Sequence, residues 1–168
     1  MDTISLIKQY LPLCWFKKNP VELPRSTAFF KENLLVFFIV EYFMQVNMID
    51  DPFEAFYEVG IQTLLSLLFI GFVLIINKNL YAYVQVATAV FNCGNVVSLF
   101  IVPVLIWLTV TNHPVSYVLC GLLLLWEYSL IAYILKQVLS INTLASLILA
   151  TSYFLATYLV AFGIAQLI

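Results

Sequence analysis

Residues 80–110 read LYAYVQVATAVFNCGNVVSLFIVPVLIWLTV, a run without a single Asp, Glu, Lys or Arg. As one straight α-helix this run would measure about 46 Å, which exceeds the roughly 30 Å of a bilayer's hydrocarbon core. The run is therefore predicted to cross a membrane. Its middle contains Asn92-Cys93-Gly94-Asn95, and Pro103 follows, so we expect the helix to be kinked there or broken into two half-helices.

Apolar runs of comparable length lie on both sides of this stretch. Together with it they predict five transmembrane helices, at approximately 30–49, 56–76, 80–110, 115–139 and 141–168. The composition agrees, because 64% of the residues are hydrophobic, whereas soluble domains are roughly 45–50% apolar. We therefore predict an all-α polytopic membrane protein. Its five-helix transmembrane domain, residues 29–168, follows an amphipathic N-terminal segment, residues 1–28, at the membrane interface.

All seven basic residues fall on one side of this arrangement. Lys78 lies between the second and third spans, Lys136 lies at the end of the fourth, and the other five lie at or before the start of the first. The connections on the opposite side, 49–55 and 111–114, contain no Lys or Arg. Because cytoplasmic loops carry the excess of Lys and Arg, the N-terminus is predicted in the cytoplasm and the C-terminus on the opposite side.

The N-terminal segment combines basic and aromatic side chains with three prolines. This composition is typical of a peptide that lies in the cytoplasmic headgroup layer. Pro12, Pro20 and Pro24 are expected to divide it into short pieces. The residues predicted to contact lipid headgroups are Lys8, Trp15, Lys17, Lys18 and Arg25.

Two carboxylates are predicted near the middle of the bilayer, Glu41 in the first span and Glu127 in the fourth. Ionising either one in hydrocarbon costs at least about 2.5–3.5 kcal/mol. No Lys or Arg lies beside them, so each is expected to be protonated, to pair with a bound cation, or to meet a residue of another chain. Neutral amides are expected to complete an intramembrane polar site with them: Gln45, Gln85, Asn92 and Asn95.

Two interpretations of this polar site are open. It can be a proton or cation site, or a polar contact for a lipid or protein ligand. Alternatively, the same side chains simply hydrogen-bond the helices to one another, at about 0.6 kcal/mol per bond.

The fifth predicted span is rich in small side chains, several of them four residues apart. Such spacing places them on shared helix faces and allows neighbouring backbones to approach closely. We predict that these residues mediate packing between helices: Ser146, Ala150, Ser152, Ala156, Thr157, Ala161 and Ala165.

Motifs for chemistry are absent from the sequence. No H-E-x-x-H, nucleophile elbow, Walker loop or Asp-rich metal motif occurs, and His113 has no second ligand at metal-binding spacing. The three cysteines lack C-x-x-C spacing, and Cys93 and Cys120 are interpreted as packing residues. We therefore expect no enzymatic activity, no metal, no cofactor and no nucleic-acid partner.

One local motif points to a known layout. The stretch Asn19-Pro20-Val21-Glu22-Leu23-Pro24-Arg25-Ser26, followed by five spans, resembles small uncharacterised inner-membrane proteins of gammaproteobacteria. Their layout is similar to that of the Yip family of five-span proteins. The resemblance implies a bacterial inner-membrane protein, with its N-terminus cytoplasmic and its C-terminus periplasmic, that associates with lipids or other membrane proteins. It implies no catalytic residue.

Two functions are predicted from these features. The first is a non-enzymatic membrane-organising, scaffold or assembly component, whose partners are membrane lipids and either a second copy of the chain or another membrane protein. The alternative is a small transporter or an ion- or proton-handling subunit that uses Glu41 and Glu127.

Overall fold

The computed structural model describes residues 3–111 and 113–166, and the regular secondary structure within these ranges is entirely helical. The predicted ends at residues 1–2 and 167–168 lie outside the described residues. Short 3-10 turns occupy Leu11–Trp15, Pro20–Glu22 and Leu80–Ala82, and a π-helical turn occupies Leu155–Leu159. The α-helices are α1 (Thr3–Tyr10), α2 (Thr27–Val46), α3 (Pro52–Ile76), α4 (Tyr83–Thr111), α5 (Pro114–Leu139), α6 (Thr143–Phe154) and α7 (Val160–Ala165).

In the described part of the chain, four helices are long and apolar enough to cross a membrane. They are α3, α4 together with the turn that precedes it, α5, and the continuous helix Thr143–Ala165, which we call the C-terminal helix. The predicted helical membrane protein is confirmed to this extent. Helix α2 has the length of a span, 20 residues, but Lys31, Glu32 and Glu41 make it more polar than the other four.

Helix α4 lies at the centre of the bundle, and every residue from 86 to 94 is buried. Helices α2 and α5 pack along it, while α3 packs against α2 and against the C-terminal half of the C-terminal helix. Helix α6 packs on α5. Asn95 of α4 contacts Asn33 of α2, and Ser98, which follows Asn95 on α4, contacts Glu41, which follows Asn33 on α2. Since the contacts advance in the same order along both helices, α2 and α4 run in the same direction.

The third span is predicted to be kinked or broken. It is not broken, because α4 is α-helical throughout, and the kink stays a prediction. The polar residues at its centre serve packing instead. Asn95 donates its amide to the backbone carbonyl of Asn33 on α2, at 3.0 Å. A Cβ on Gly94 would lie 3.1 Å from the ring of Phe37, so this glycine permits α2 to approach closely. Pro103 removes one backbone donor, and the helix continues through it.

Side-chain caps explain where the long helices begin. Ser26, Asp51 and Asn142 each accept a hydrogen bond from a backbone N–H in the first turn of the helix that follows. His113 caps α5 in the same way, since its Nδ1 accepts from the backbone N–H of Val115 at 3.2 Å. The histidine therefore has a structural role at this helix start.

The C-terminal helix departs from α geometry at the π turn Leu155–Leu159. A π turn closes over five residues instead of four. Tyr153 and Tyr158, five residues apart, are therefore brought towards the same neighbouring helix, whereas in a regular α-helix they would point about 140° apart.

The N-terminal segment folds onto α4 and α5. Gln85 of α4 donates from Nε2 to the carbonyls of Val21 and Leu23, at 3.0 and 2.7 Å. Trp126 of α5 donates from Nε1 to the carbonyl of Cys14, at 3.2 Å. Burial raises the pKa of Tyr10 to about 12, and a hydrogen bond with Thr88 opposes this shift. The segment is thus an integral part of the bundle's packing.

Candidate functional site

Glu41 and Glu127, on two different helices, lie within electrostatic range of each other. Glu41 lies on α2 and Glu127 at the centre of α5, both half-buried, and they are close enough for their charges to interact. Ser98 of α4 donates from Oγ to Oε1 of Glu41, at 3.3 Å. Among the described residues, no side chain forms a hydrogen bond with Glu127. Within residues 3–111 and 113–166, no Lys or Arg forms an ion pair with Glu41 or Glu127. We call these two residues the acid pair.

The surroundings of the acid pair determine which charge states it can hold. Two ionised carboxylates repel each other, and the repulsion grows as the local dielectric constant falls. Ionisation inside a membrane adds the cost of losing hydration. States in which at least one of the two carboxyl groups is protonated are therefore favoured over the doubly charged state.

A line of polar side chains on α3 leads towards the acid pair. Glu58, Gln62 and Ser66 follow one another at intervals of four residues, which places them on one helix face. All three are buried, Glu58 being 8% exposed, and Thr63 is buried beside them. Oε2 of Glu58 and Oγ1 of Thr63 have no hydrogen-bond partner. Buried polar atoms of this kind are rare without a partner.

Two tyrosines of the C-terminal helix form the opposite side of this line. The Tyr153 hydroxyl donates to Oγ of Ser66, at 3.1 Å, and the Tyr158 hydroxyl lies close to the side chain of Gln62. Both tyrosines lie within electrostatic range of the acid pair. We call the five residues the polar row: Glu58, Gln62, Ser66, Tyr153 and Tyr158.

The polar row begins near one end of the bundle. Glu58 lies about 9 Å along the helix axis from Pro52, where α3 starts. An open polar cleft of about 440 Å³ lies at this end, and Glu54, one turn before Glu58, is among its lining residues. The cleft is lined by Asp51, Phe53, Glu54, Tyr57, Ala165 and Gln166. The row thus extends from beneath this cleft to the centre of the bundle.

The four amides predicted to join the carboxylates take separate positions. Asn95 bonds to Asn33, and Asn92 is buried nearby with its Nδ2 unpartnered. Gln85 holds the N-terminal segment, and Gln45 is half-buried on α2, one turn after Glu41.

Sequence reasoning missed Ser98 and the polar row. The interval of four between Glu58, Gln62 and Ser66 was the available signal.

Most of the small residues predicted to pack helices face the interior of the chain. Ser146, Ala150, Thr157, Ala161 and Ala165 are buried within the bundle. Ser152 is exposed and donates to the carbonyl of Ile148, at 3.0 Å, while Ala156 is half-buried. The buried members of this face are therefore used within one chain.

The residues predicted to contact headgroups lie at the surface of the N-terminal segment. The side chains of Lys8, Lys17, Lys18 and Arg25 are exposed. The Trp15 ring is about half exposed, and its other side meets the ring of Trp126, with centroids 6.2 Å apart. Contact of this surface with lipid headgroups stays a prediction.

No group of three or more His, Cys, Asp or Glu side chains in residues 3–111 and 113–166 is arranged to hold a metal ion. The resemblance to five-span Yip proteins stays a prediction. Comparison with protein-family models, with curated proteins and with solved structures gave no match to this chain.

Proposed function

We propose that the chain is a five-helix integral membrane protein that takes up and releases protons, alone or in exchange for a monovalent cation, at the acid pair. The observation that carries this proposal is that Glu41 and Glu127 lie within electrostatic range of each other, and that no Lys or Arg in residues 3–111 and 113–166 pairs with either. A purely structural role would require hydrogen bonds that hold the helices together. Glu41 makes one such bond, to Ser98, and Glu127 makes none within the described residues.

A fifth span, formed by α2, is part of this proposal. Helix α2 is about 30 Å long, enough to cross the hydrocarbon core, and it packs along α4 in the same direction. Lys31 and Glu32 lie near its start, where charged groups can reach the interface. Five spans keep Lys78, Lys136 and the basic N-terminal segment on one side. We therefore assign the N-terminus to the cytoplasm and the C-terminus to the periplasm of a bacterial inner membrane.

The polar row provides the connection to the periplasmic side. Hydroxyl, amide and carboxyl groups can both donate and accept hydrogen bonds, as proton transfer along a chain of groups and waters requires. The row begins beneath the cleft at the start of α3 and ends within electrostatic range of the acid pair. The π turn supports it, because it directs Tyr158 as well as Tyr153 towards α3.

The proposal is tested with the purified full chain in liposomes that contain a trapped pH-sensitive dye. After a pH step outside, proteoliposomes are expected to equilibrate faster than empty liposomes, with a rate proportional to the amount of protein. Addition of Na⁺ or K⁺ gradients without a pH step shows whether a cation is exchanged. Equal rates with and without protein, under every gradient, would refute the proposal.

The second candidate function is a membrane-organising component, and the exposed basic surface of the N-terminal segment favours it. Anionic lipid headgroups are the partner that this surface fits. The small-residue face does not support self-association, because most of it is buried within the chain. Crosslinking and native mass spectrometry in lipid test this candidate, and recovery of an isolated monomer without retained anionic lipid would contradict it.

Replacing Lys17 and Lys18 by Gln is expected to weaken anionic-lipid binding by about 30-fold. Each basic residue near an anionic surface contributes about 1 kcal/mol, so two contribute about 2 kcal/mol. The measurement is competition between phosphatidylglycerol and phosphatidylcholine for the purified chain. Replacement of both lysines by Arg retains the charge and should leave the preference unchanged. A preference that survives the Gln variant would assign lipid selection to another surface.

A further inference from the structure

Two cysteines that are distant in sequence meet inside the bundle. Cys14 lies in the 3-10 turn Leu11–Trp15, and Cys93 lies in the middle of α4. Their Sγ atoms are 3.4 Å apart and share a hydrogen bond. Cys14 is 0% exposed and Cys93 1% exposed. The contact joins the N-terminal segment to the central helix across 79 positions of sequence.

The backbone around Cys14 holds its sulfur in this place. The indole of Trp126 donates to the Cys14 carbonyl at 3.2 Å, and the turn is closed by the Phe16 amide, which donates to the Leu13 carbonyl at 2.9 Å. Phe16 adopts a left-handed conformation, with φ of 59°. Its ring packs edge-on against Tyr133, with centroids 5.3 Å apart, which offsets the backbone strain.

The contact with the Cys93 thiol lowers the pKa of Cys14, although burial opposes this shift. A thiolate, and not a thiol, attacks disulfides. We assign the first reaction to Cys14, because it lies in the short N-terminal segment, and the second to Cys93 of α4, which is in contact with it.

We propose that Cys14 and Cys93 form a redox-active dithiol, which low-molecular-weight disulfides of the cytoplasm oxidise to a disulfide that fastens the N-terminal segment to α4. In the first step the Cys14 thiolate attacks the S–S bond of the small disulfide, forming a mixed disulfide and expelling one small thiolate. Cys93 then loses its proton and attacks the Cys14 sulfur, which expels the second small thiolate. The protein loses two electrons and two protons, and the small disulfide is reduced to two thiols.

Access to the buried sulfurs requires the N-terminal segment to open. Side chains of α4 and α5 hold the segment through its carbonyl oxygens, and Leu6, Tyr10 and Leu13 are buried in the core of the bundle. Opening breaks both sets of contacts, but it leaves the packing among the long helices in place and therefore costs less than global unfolding. In the reducing cytoplasm the open and closed forms interconvert. Oxidation removes the open form, since the new bond fixes Cys14 to the central helix.

The experiment uses the full chain carrying Cys120→Ser, in lipid nanodiscs, with oxidised glutathione as the probe. Cys120 lies on α5 and is half-buried, so its removal leaves one possible pair. Oxidation is expected to remove two hydrogens from the chain mass and to yield a linked peptide containing both cysteines. Trypsin cuts after the exposed Lys17 or Lys18, and the released fragment with Cys14 should stay attached until a reductant is added.

Two further arms make the outcome unambiguous. Because the pKa of Cys14 is lowered, the oxidation rate should begin to rise with pH at lower pH than for a free cysteine peptide. Cys93→Ser should stop at a glutathione adduct on Cys14. The proposal is overturned if the Cys120→Ser chain, in which both proposed partners are intact, accumulates that adduct without a Cys14–Cys93 bond. It is equally overturned if Cys14 and Cys93 of the Cys120→Ser chain stay reduced at a glutathione concentration that fully oxidises a free cysteine peptide.

Discussion

Replacement of both Glu41 and Glu127 by Gln is expected to reduce proton flux through the reconstituted protein to the rate of empty liposomes. Glutamine preserves the size and hydrogen-bonding capacity of each side chain but cannot exchange a proton near neutral pH. Groups positioned for proton transfer accelerate it by about 10²–10⁴-fold, so a loss of at least about 100-fold is expected. The measurement is the rate of dye response after a pH step.

Control variants separate this effect from damage to the fold. Glu22→Gln changes an exposed carboxylate of the N-terminal segment and should leave the flux unchanged. The double Gln variant should unfold at the same temperature as the wild type or higher, because it removes the repulsion within the acid pair. A proton flux in the double variant equal to that of the wild type would show that protons cross the protein without using the acid pair.

Phe91→Ala is expected to destabilise the bundle by about 3–5 kcal/mol, the usual cost of emptying a large aromatic site. Phe91 is fully buried in α4, and its ring packs on those of Phe30 and Phe37 of α2, with centroids 6.4 and 4.9 Å apart. The cavity would lie inside the protein, where neither lipid nor water fills it without cost. Thermal or SDS-induced unfolding of the purified chain in micelles measures the change.

Phe72→Ala is the matched control for this substitution. Phe72 lies on α3 and is 63% exposed, so acyl chains can occupy the space that its ring leaves. Lipid tails are as apolar as the side chains of the protein, and an effect below roughly 1 kcal/mol is expected. Similar losses for the two variants would mean that Phe91 is not the packing centre between α2 and α4.

The common level of Glu41 and Glu127 along their helices could be predicted from the sequence, but the surroundings of the acid pair could not. Counting residues from the span ends places Glu41 and Glu127 near the same level. Which face of a helix meets a neighbouring helix depends on packing. Asn92 and Asn95 lie at nearly the same level as the acid pair, but the side chain of Asn95 points to α2 and bonds to Asn33 instead of a carboxylate. Propensity and hydropathy contain no information about that rotation.

Other differences have equally specific causes. Glycine and asparagine at the centre of α4 predict a break, yet Gly94 provides room for Phe37 and the helix stays intact. The basic and aromatic N-terminal segment predicts a peptide in the headgroup layer. Its packing on the bundle depends on contacts with Gln85 and Trp126, which lie 62 and 112 positions away from their partners Leu23 and Cys14. Pairings at such separations leave no periodic signal.

The π turn of the C-terminal helix also makes the length of this helix critical. It contains a surplus residue relative to an α-helical turn. Deleting one residue of Leu155–Leu159 would restore α geometry and keep α7 facing as it does, so Ala161 and Ala165 would stay in the interior. Adding one residue after the π turn would instead rotate the rest of the helix by about 100° and carry these alanines out of the interior. Lineages that share this architecture should therefore tolerate the loss of one residue within the π turn better than the gain of one residue after it.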